Sequence, residues 1–262
     1  MMSALYVSKT GLAAQDKQLT TISHNLANTS TVGFKRDRAI FEDLLYQVQR
    51  QPGAQETQDS QLPSGLQLGT GARVVATQKQ FTQGNLQVTE QPLDVAVNGR
   101  GFLQVLQPDG TIAYTRNGEL QLSKEGQLVN SEGLVLEPAI TVPQGANRIT
   151  IGKDGTVNAY TEGNEATPQQ LGNITLTDFV NPSGLQAIGG NLFVETVASG
   201  TPTQGAPGEN GMGVLLQGQL ESSNVDIVEE MVNMITTQRA YEMNSKVVST
   251  ADQMLQNIAQ NL

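Results

Sequence analysis

Leucines recur every seven residues at the start of the chain, at Leu5, Leu12, Leu19 and Leu26. Ser8, Gln15 and Ile22 fall between them, where the second seam position of a heptad would stand. This spacing predicts a helix from Ser3 to Asn28, about 39 Å long at 1.5 Å per residue. The run Asn28-Thr29-Ser30-Thr31-Val32-Gly33 is built of capping and breaking residues and should end it. A second helix is predicted at the other end, because no Gly or Pro occurs from Asn224 to Leu262. One apolar stripe there is Val228, Met231, Val232 and Ile235. Further on, Ala240, Val247 and Met254 repeat every seven, interleaved with Asn244, Ala251 and Ile258. Ser223 and Asp226 have the spacing of a capping box, and Glu229 and Glu230 sit where the helix dipole favours acids. This helix would reach about 58 Å.

Between the helices the pattern changes. Residues 37–48 carry Ile40, Phe41, Leu44, Leu45 and Val48 at spacings that predict a short helix. Gln49 to Gly71 is rich in Gln, Ser, Thr, Pro and Gly, which fits a loop or an extended hairpin ordered against neighbours. From Ala72 to about Leu216 apolar residues alternate: Val95 and Val97, Leu103 and Val105, Leu120 and Leu122, Ile149 and Ile151, Ile174 and Leu176. Asn98-Gly99, Asp109-Gly110, Asn117-Gly118, Glu125-Gly126, Glu132-Gly133 and Asp154-Gly155 punctuate them as turns. The region predicts many short antiparallel strands, with Gly200 to Gly213 as a linker leaving them. The fold class expected is α+β: terminal helices pairing as a coiled-coil-like module around a central antiparallel all-β domain. Four segments follow: a helix over 1–32, a connector over 33–71, a β domain over 72–216 and a helix over 217–262.

Composition removes most chemistry. The net charge of −10 and the single tight basic cluster, Lys35-Arg36-Asp37-Arg38, argue against nucleic acid. Six Phe, five Tyr and no Trp leave little for aromatic binding platforms and imply a core of Val, Leu and Ile. There is no Cys, so disulfides, thiolate nucleophiles and Cys-type zinc sites are excluded. His24 is the single His, a polar residue on a helix, with no partners for a general base or a multi-His metal site. Gly99-Arg100-Gly101 and Gly69-Thr70-Gly71 do not continue into a phosphate-binding loop. Met231, Met234, Met243 and Met254 have the spacing of packing residues. No enzyme activity, cofactor, metal or small-molecule substrate is expected. No apolar run is long enough to span a membrane, and Met1 to Leu5 does not begin a cleaved secretory signal of the usual form.

Two segments go further. Ser23-His24-Asn25-Leu26-Ala27-Asn28, followed by Thr31-Val32-Gly33-Phe34-Lys35, resembles the N-terminal signature of the bacterial flagellar axial proteins of the rod and hook. Val232-Asn233-Met234-Ile235, Gln238-Arg239-Ala240-Tyr241-Glu242 and Asn244-Ser245-Lys246 resemble its C-terminal signature. Gln51-Pro52-Gly53-Ala54-Gln55, Leu62 to Gly71, Gly99-Arg100-Gly101-Phe102 and Tyr114-Thr115-Arg116-Asn117-Gly118 are similar to the distal rod branch in particular. His24 stands where the family usually has Asn or Ser, and Leu120 where it usually has an aromatic. The resemblance implies a distal rod subunit, polymerising helically into a hollow drive shaft with the terminal helices inside and the β body outside. A proximal rod subunit is the nearest alternative, and a secreted β-rich binding protein or a hydrolase is more distant. Implied partners are further copies of the chain, proximal rod and hook subunits, the P- and L-ring proteins and the flagellar type III export apparatus. The implied place is the basal body, where the rod crosses the periplasm. The assembly seam would comprise Leu5, Leu12, Leu19, Ile22, Leu26, Val228, Met231, Ile235, Ala240, Val247, Ala251, Met254 and Ile258. Gln51 to Ala54 would mark the distal rod, within a hairpin between subunits.

Overall fold

The computed structural model describes residues 2–53, 55–57, 60–61, 63–161 and 168–260, with side chains for 4–53, 63–161 and 168–257. The chain forms an N-terminal helix, a central antiparallel β-rich region and a C-terminal helix. It divides into two compact units, one comprising Met1–Ala27, Asp37–Gln78 and Asp226–Leu262, the other Asn28–Arg36 and Lys79–Val225.

In the first unit, helix α1 (Met2–Ala27) packs against helix α2 (Ile227–Gln260). Two contacts fix their register. The Asn25 amide reaches Glu230, and a Cβ on Gly11 would stand 3.2 Å from Asn244 Nδ2. Fourteen residues back along α1 thus match fourteen forward along α2, so the helices run antiparallel. This register carries Gln18 to the level of Thr237. The α1 face is Ser8, Gly11, Gln15, Gln18, Ile22 and Asn25, spaced alternately by three and four residues. The matching α2 face holds Glu230, Thr237, Asn244 and Ala251, again seven apart.

The rest of this unit departs from expectation. Residues 37–48 are not helical: Asp37–Asp43 is a strand paired with Ala72–Lys79, and Tyr46–Arg50 pairs antiparallel with Leu66–Gly69. Apolar residues at 40, 41, 44, 45 and 48 satisfy a helical period, but β-branched and aromatic side chains also suit a strand, and ladder partners decide. Beyond them Gln55–Thr57 pairs with Ser60–Gln61, so the described part of the Gln-rich segment is a hairpin. The α2 cap also differs from the predicted box. Asp226 itself is the N-cap, accepting from the Val228 and Glu229 amides at 2.8 and 3.2 Å, whereas the Ser223 hydroxyl accepts from Val225.

The second unit is built on a seven-stranded antiparallel sheet. Its order is Leu120–Leu122, Leu128–Asn130, Val135–Glu137, Leu103–Leu106, Ile112–Thr115, Leu192–Val194 and Gln186–Gly189. A three-stranded sheet (Ala146–Ile151, Thr156–Thr161, Gln169–Asn173) and several strand pairs complete it. Its main core is aliphatic, with Leu103, Val105, Leu128, Leu136, Ile174 and Leu176 fully buried. Leu120 belongs to this cluster. A second cluster is aromatic, which the composition did not suggest: Phe81, Phe102, Tyr114, Phe179 and Phe193 meet edge to face at 4.8–6.1 Å. The stretch Gly200 to Gly213 is no linker. Thr203–Gly205 pairs with Leu176–Asp178, and Pro207 and Met212 are buried. Its glycines serve tight turns inside the unit rather than slack between units.

Candidate functional site

The helix-end signature is where sequence pointed most strongly, and the structure gives Asn25, Asn28, Thr31, Gly33, Phe34 and Lys35 each a task. Asn25 is buried and its amide pairs with the main chain of Asp37: Nδ2 donates to the carbonyl and Oδ1 accepts from the N–H, both at 2.8 Å. The same Nδ2 donates to Glu230 Oε1 at 3.3 Å. One side chain therefore ties the end of α1, the start of the first strand and the first turn of α2. An ionised Asp has no donor, and a Ser hydroxyl has one proton where Asn25 Nδ2 donates twice. His24 lies beside it, with Nδ1 3.2 Å from Asp37 Oδ2.

The nine residues between Ala27 and Asp37 belong to the β-rich unit. Asn28 and Thr31 form the turn, through Thr31 N–H to the Asn28 carbonyl and the Thr31 hydroxyl to Asn28 Oδ1. Gly33 adopts a left-handed φ of 70° and donates to the Glu221 carbonyl at 2.8 Å. A side chain there would strike the Arg116 main chain, so Gly is required twice over. The Phe34 ring is buried under Lys79 Nζ, 5.1 Å from its centre. Lys35 is wholly buried, its ammonium 2.5 Å from Glu221 Oε1 and donating to the Thr82 carbonyl at 2.8 Å.

Glu221 is the centre of this arrangement. Oε1 also accepts from Gly84 N–H at 2.8 Å, and Oε2 pairs with Arg116 Nη1 at 3.2 Å. Arg116 donates further to the carbonyls of Val97 and Gly99 and lies over the Phe102 ring. Burial pushes the Lys35 ammonium and the Arg116 guanidinium down from their ordinary values, against the opposing pull of Glu221. Two motifs read separately in the sequence, Thr31 to Lys35 and Tyr114 to Gly118, thus converge on one carboxylate. Glu221 itself carried no sequence signal, since an acid shortly before a helix is common in an acidic chain. Glu230 was read as a dipole partner, yet it is buried against Asn25.

The expected seam residues are distributed as follows. Ile22 and Ala251 are buried. Leu5, Leu12, Leu19, Leu26 and Ala240 are half-buried, flanking the α1–α2 face, which runs one residue ahead of the leucine row. Val228, Met231, Ile235, Val247 and Met254 are exposed, Val228 by 71%. The side chain of Ile258 lies outside the described residues. Gln51, Pro52 and Gly53 are exposed at the end of the strand Tyr46–Arg50, and Ala54 lies outside the described residues.

Comparison with known proteins covers the same elements. Residues 5–35 match the family described as "Flagella basal body rod protein", and residues 96–159 the "Flagellar hook protein FlgE/F/G D1 domain". Residues 216–261 match "Flagellar basal body rod FlgEFG protein C-terminal". A protein named flagellar basal-body rod protein FlgG from Buchnera aphidicola is 53% identical, covering 99% of this chain and 100% of its own length. Proteins of that name from Caulobacter vibrioides and Bacillus subtilis are 48% and 35% identical, over 99% and 98% of both chains. With identity at this level from end to end, the chain belongs to the flagellar basal-body rod protein FlgG family.

Proposed function

We propose that this protein is a structural subunit of the flagellar distal rod, polymerising helically into the hollow shaft that carries torque from motor to hook. The observation that carries this reading is the polarity of the helix pair. Apart from Ile22, its internal face is polar or small, with Ser8, Asn25, Glu230 and Thr237 buried, while Val228, Met231, Val232, Ile235, Val247 and Met254 remain exposed. A domain folding for itself would turn these rows inward. A subunit keeps them for neighbouring copies, and a heterologous contact of this kind propagates as an open helix. In the polymer the helices would form a coiled-coil-like inner tube, with the half-buried leucines and the exposed α2 rows as seams. The hairpin carrying Leu45, Tyr46, Val48, Leu66 and Leu68, all exposed, would lie between subunits. Partners would be proximal rod and hook subunits at the two ends and the P- and L-ring proteins outside, after export by the flagellar type III apparatus. The connector over 33–71 and the β domain over 72–216 would be the parts of the subunit outside that tube. Rod or filament formation by the purified chain, viewed by electron microscopy, tests the proposal. Ile235→Asp and Val247→Asp should abolish filaments while leaving circular dichroism unchanged. Normal filaments from either variant would remove that residue from the seam.

A further inference from the structure

Of the two buried ion pairs on Glu221, the one to Lys35 holds a segment, and the one to Arg116 keeps the carboxylate in place beneath it. Of the nine residues Asn28–Arg36, only Gly33, Phe34 and Lys35 are buried. The aliphatic core beneath is assembled without any of them. Polar groups supply much of the attachment: Lys35 to Glu221 and to the Thr82 carbonyl, and Gly33 N–H to the Glu221 carbonyl. Asn224 repeats the device on main chain, its Oδ1 accepting from Arg36 N–H at 2.7 Å. Its Nδ2 donates to the Gln80 and Thr82 carbonyls. Gln80 N–H in turn donates to the Arg36 carbonyl. The segment is thus stitched to the chain at 80–82 and 221–224, and at Val32, whose carbonyl accepts from Asn191 Nδ2 at 2.9 Å.

A buried pair of this kind adds little net stability over an apolar substitute, but loss of one partner leaves a charge uncompensated. Attachment made this way responds steeply. Either Lys35 joins Arg116 at Glu221 and the segment sits down, or Lys35 goes to water and the segment leaves. We infer that Glu221 is a latch: Asn28–Arg36 docks on the β-rich unit and releases from it as one piece, with the core left intact. The chain enters this segment from Ala27 and leaves it to Asp37, so the released segment is a nine-residue loop with both ends in the helical unit. Released, it stays closed at its base by the Asn25 bonds to the Asp37 main chain. This inference concerns the isolated chain and stands independently of assembly.

Hydrogen exchange on the full chain tests it, with trypsin sensitivity after Lys35 and Arg36 as a second readout. In the unaltered protein, amides at 31–36 should share one opening step that is easier than the opening of Leu103, Val105 and Leu136. Glu221→Gln should speed exchange at 31–36 about 100-fold and admit trypsin there, with the central sheet unchanged. The triple change Lys35→Met, Arg116→Met, Glu221→Met should restore protection of the segment to at least the original level. Unchanged protection at 31–36 in Glu221→Gln overturns the latch. So does a Glu221→Gln chain that fails to fold, or whose sheet opens together with the segment, because segment and core are then one cooperative piece.

Discussion

The two units of this chain invert each other. In the β-rich unit the inside is dry: Leu103, Leu128, Leu136, Ile174 and Leu176 lose all solvent contact, and five aromatic rings interlock beside them. In the helical unit the best-buried side chains include Ser8, Asn25, Glu230 and Thr237, and the large apolar residues of α2 face outward. Burying apolar area is the main favourable term in folding, so the β-rich unit draws more of it from a single chain than the helical unit does. On the proposed assembly, one sequence encodes a part that folds for itself and a part finished by its neighbours. The sharpest way to break this comparison is in the dry core. Leu136→Ala removes a fully buried side chain and should cost about 2–5 kcal/mol, read by urea unfolding followed through tyrosine fluorescence. A loss well below 1 kcal/mol would mean that the sheet is not the stable half.

The helical unit should respond to a different insult. Gly11 lies in the middle of α1, where Gly is about 1 kcal/mol worse than Ala for helix formation. Its place is explained by the Asn244 side chain, which would stand 3.2 Å from an added Cβ. Gly11→Leu should raise intrinsic helix propensity and still destabilise the helix pair, by about 1–3 kcal/mol of overpacking. Far-ultraviolet circular dichroism on heating reads this. Higher thermal stability in Gly11→Leu would show that the two helices do not meet at this level.

Much of this was legible in the sequence, and the exceptions share a cause. Helix limits were readable because capping residues and breakers act locally, as at Asn28 to Gly33. Strands such as Val95–Asn98 and Leu103–Leu106 were readable from alternation and Gly turns. What could not be read was which face meets which partner. The leucine heptad marks one stripe of α1, but the internal contact uses the stripe beside it, because Asn25 and Gln18, with the space left by Gly11, match Glu230, Thr237 and Asn244 across the pair. Periodicity gives a repeat without its phase toward a particular neighbour. The segment at 37–48 failed for a related reason, since its ladder partners at 66–79 lie far away in sequence. The Glu221 cluster was half visible: Lys35 and Arg116 stood inside quoted motifs, and the anion joining them, more than a hundred residues from either, did not.

The smallest effect separates cap from charge at the start of α2. Asp226 Oδ1 accepts from two first-turn amides that no helical carbonyl can serve. Asp226→Ala should cost about 1 kcal/mol, visible as fraying of the first turn by hydrogen exchange. Asp226→Asn keeps an acceptor but removes the negative charge, so it should retain most of the stability if the hydrogen bonds dominate. Ser223→Ala should leave helix protection unchanged, because its hydroxyl serves Val225 and not the helix. The comparison of units is sharpened by where the loss appears. Asp226 and its partners belong to the helical unit, so the central sheet at Leu103 and Leu136 should keep its protection in all three variants. If Asp226→Ala loosened that sheet as well, the two halves would be a single cooperative fold and the inversion between them only a matter of composition.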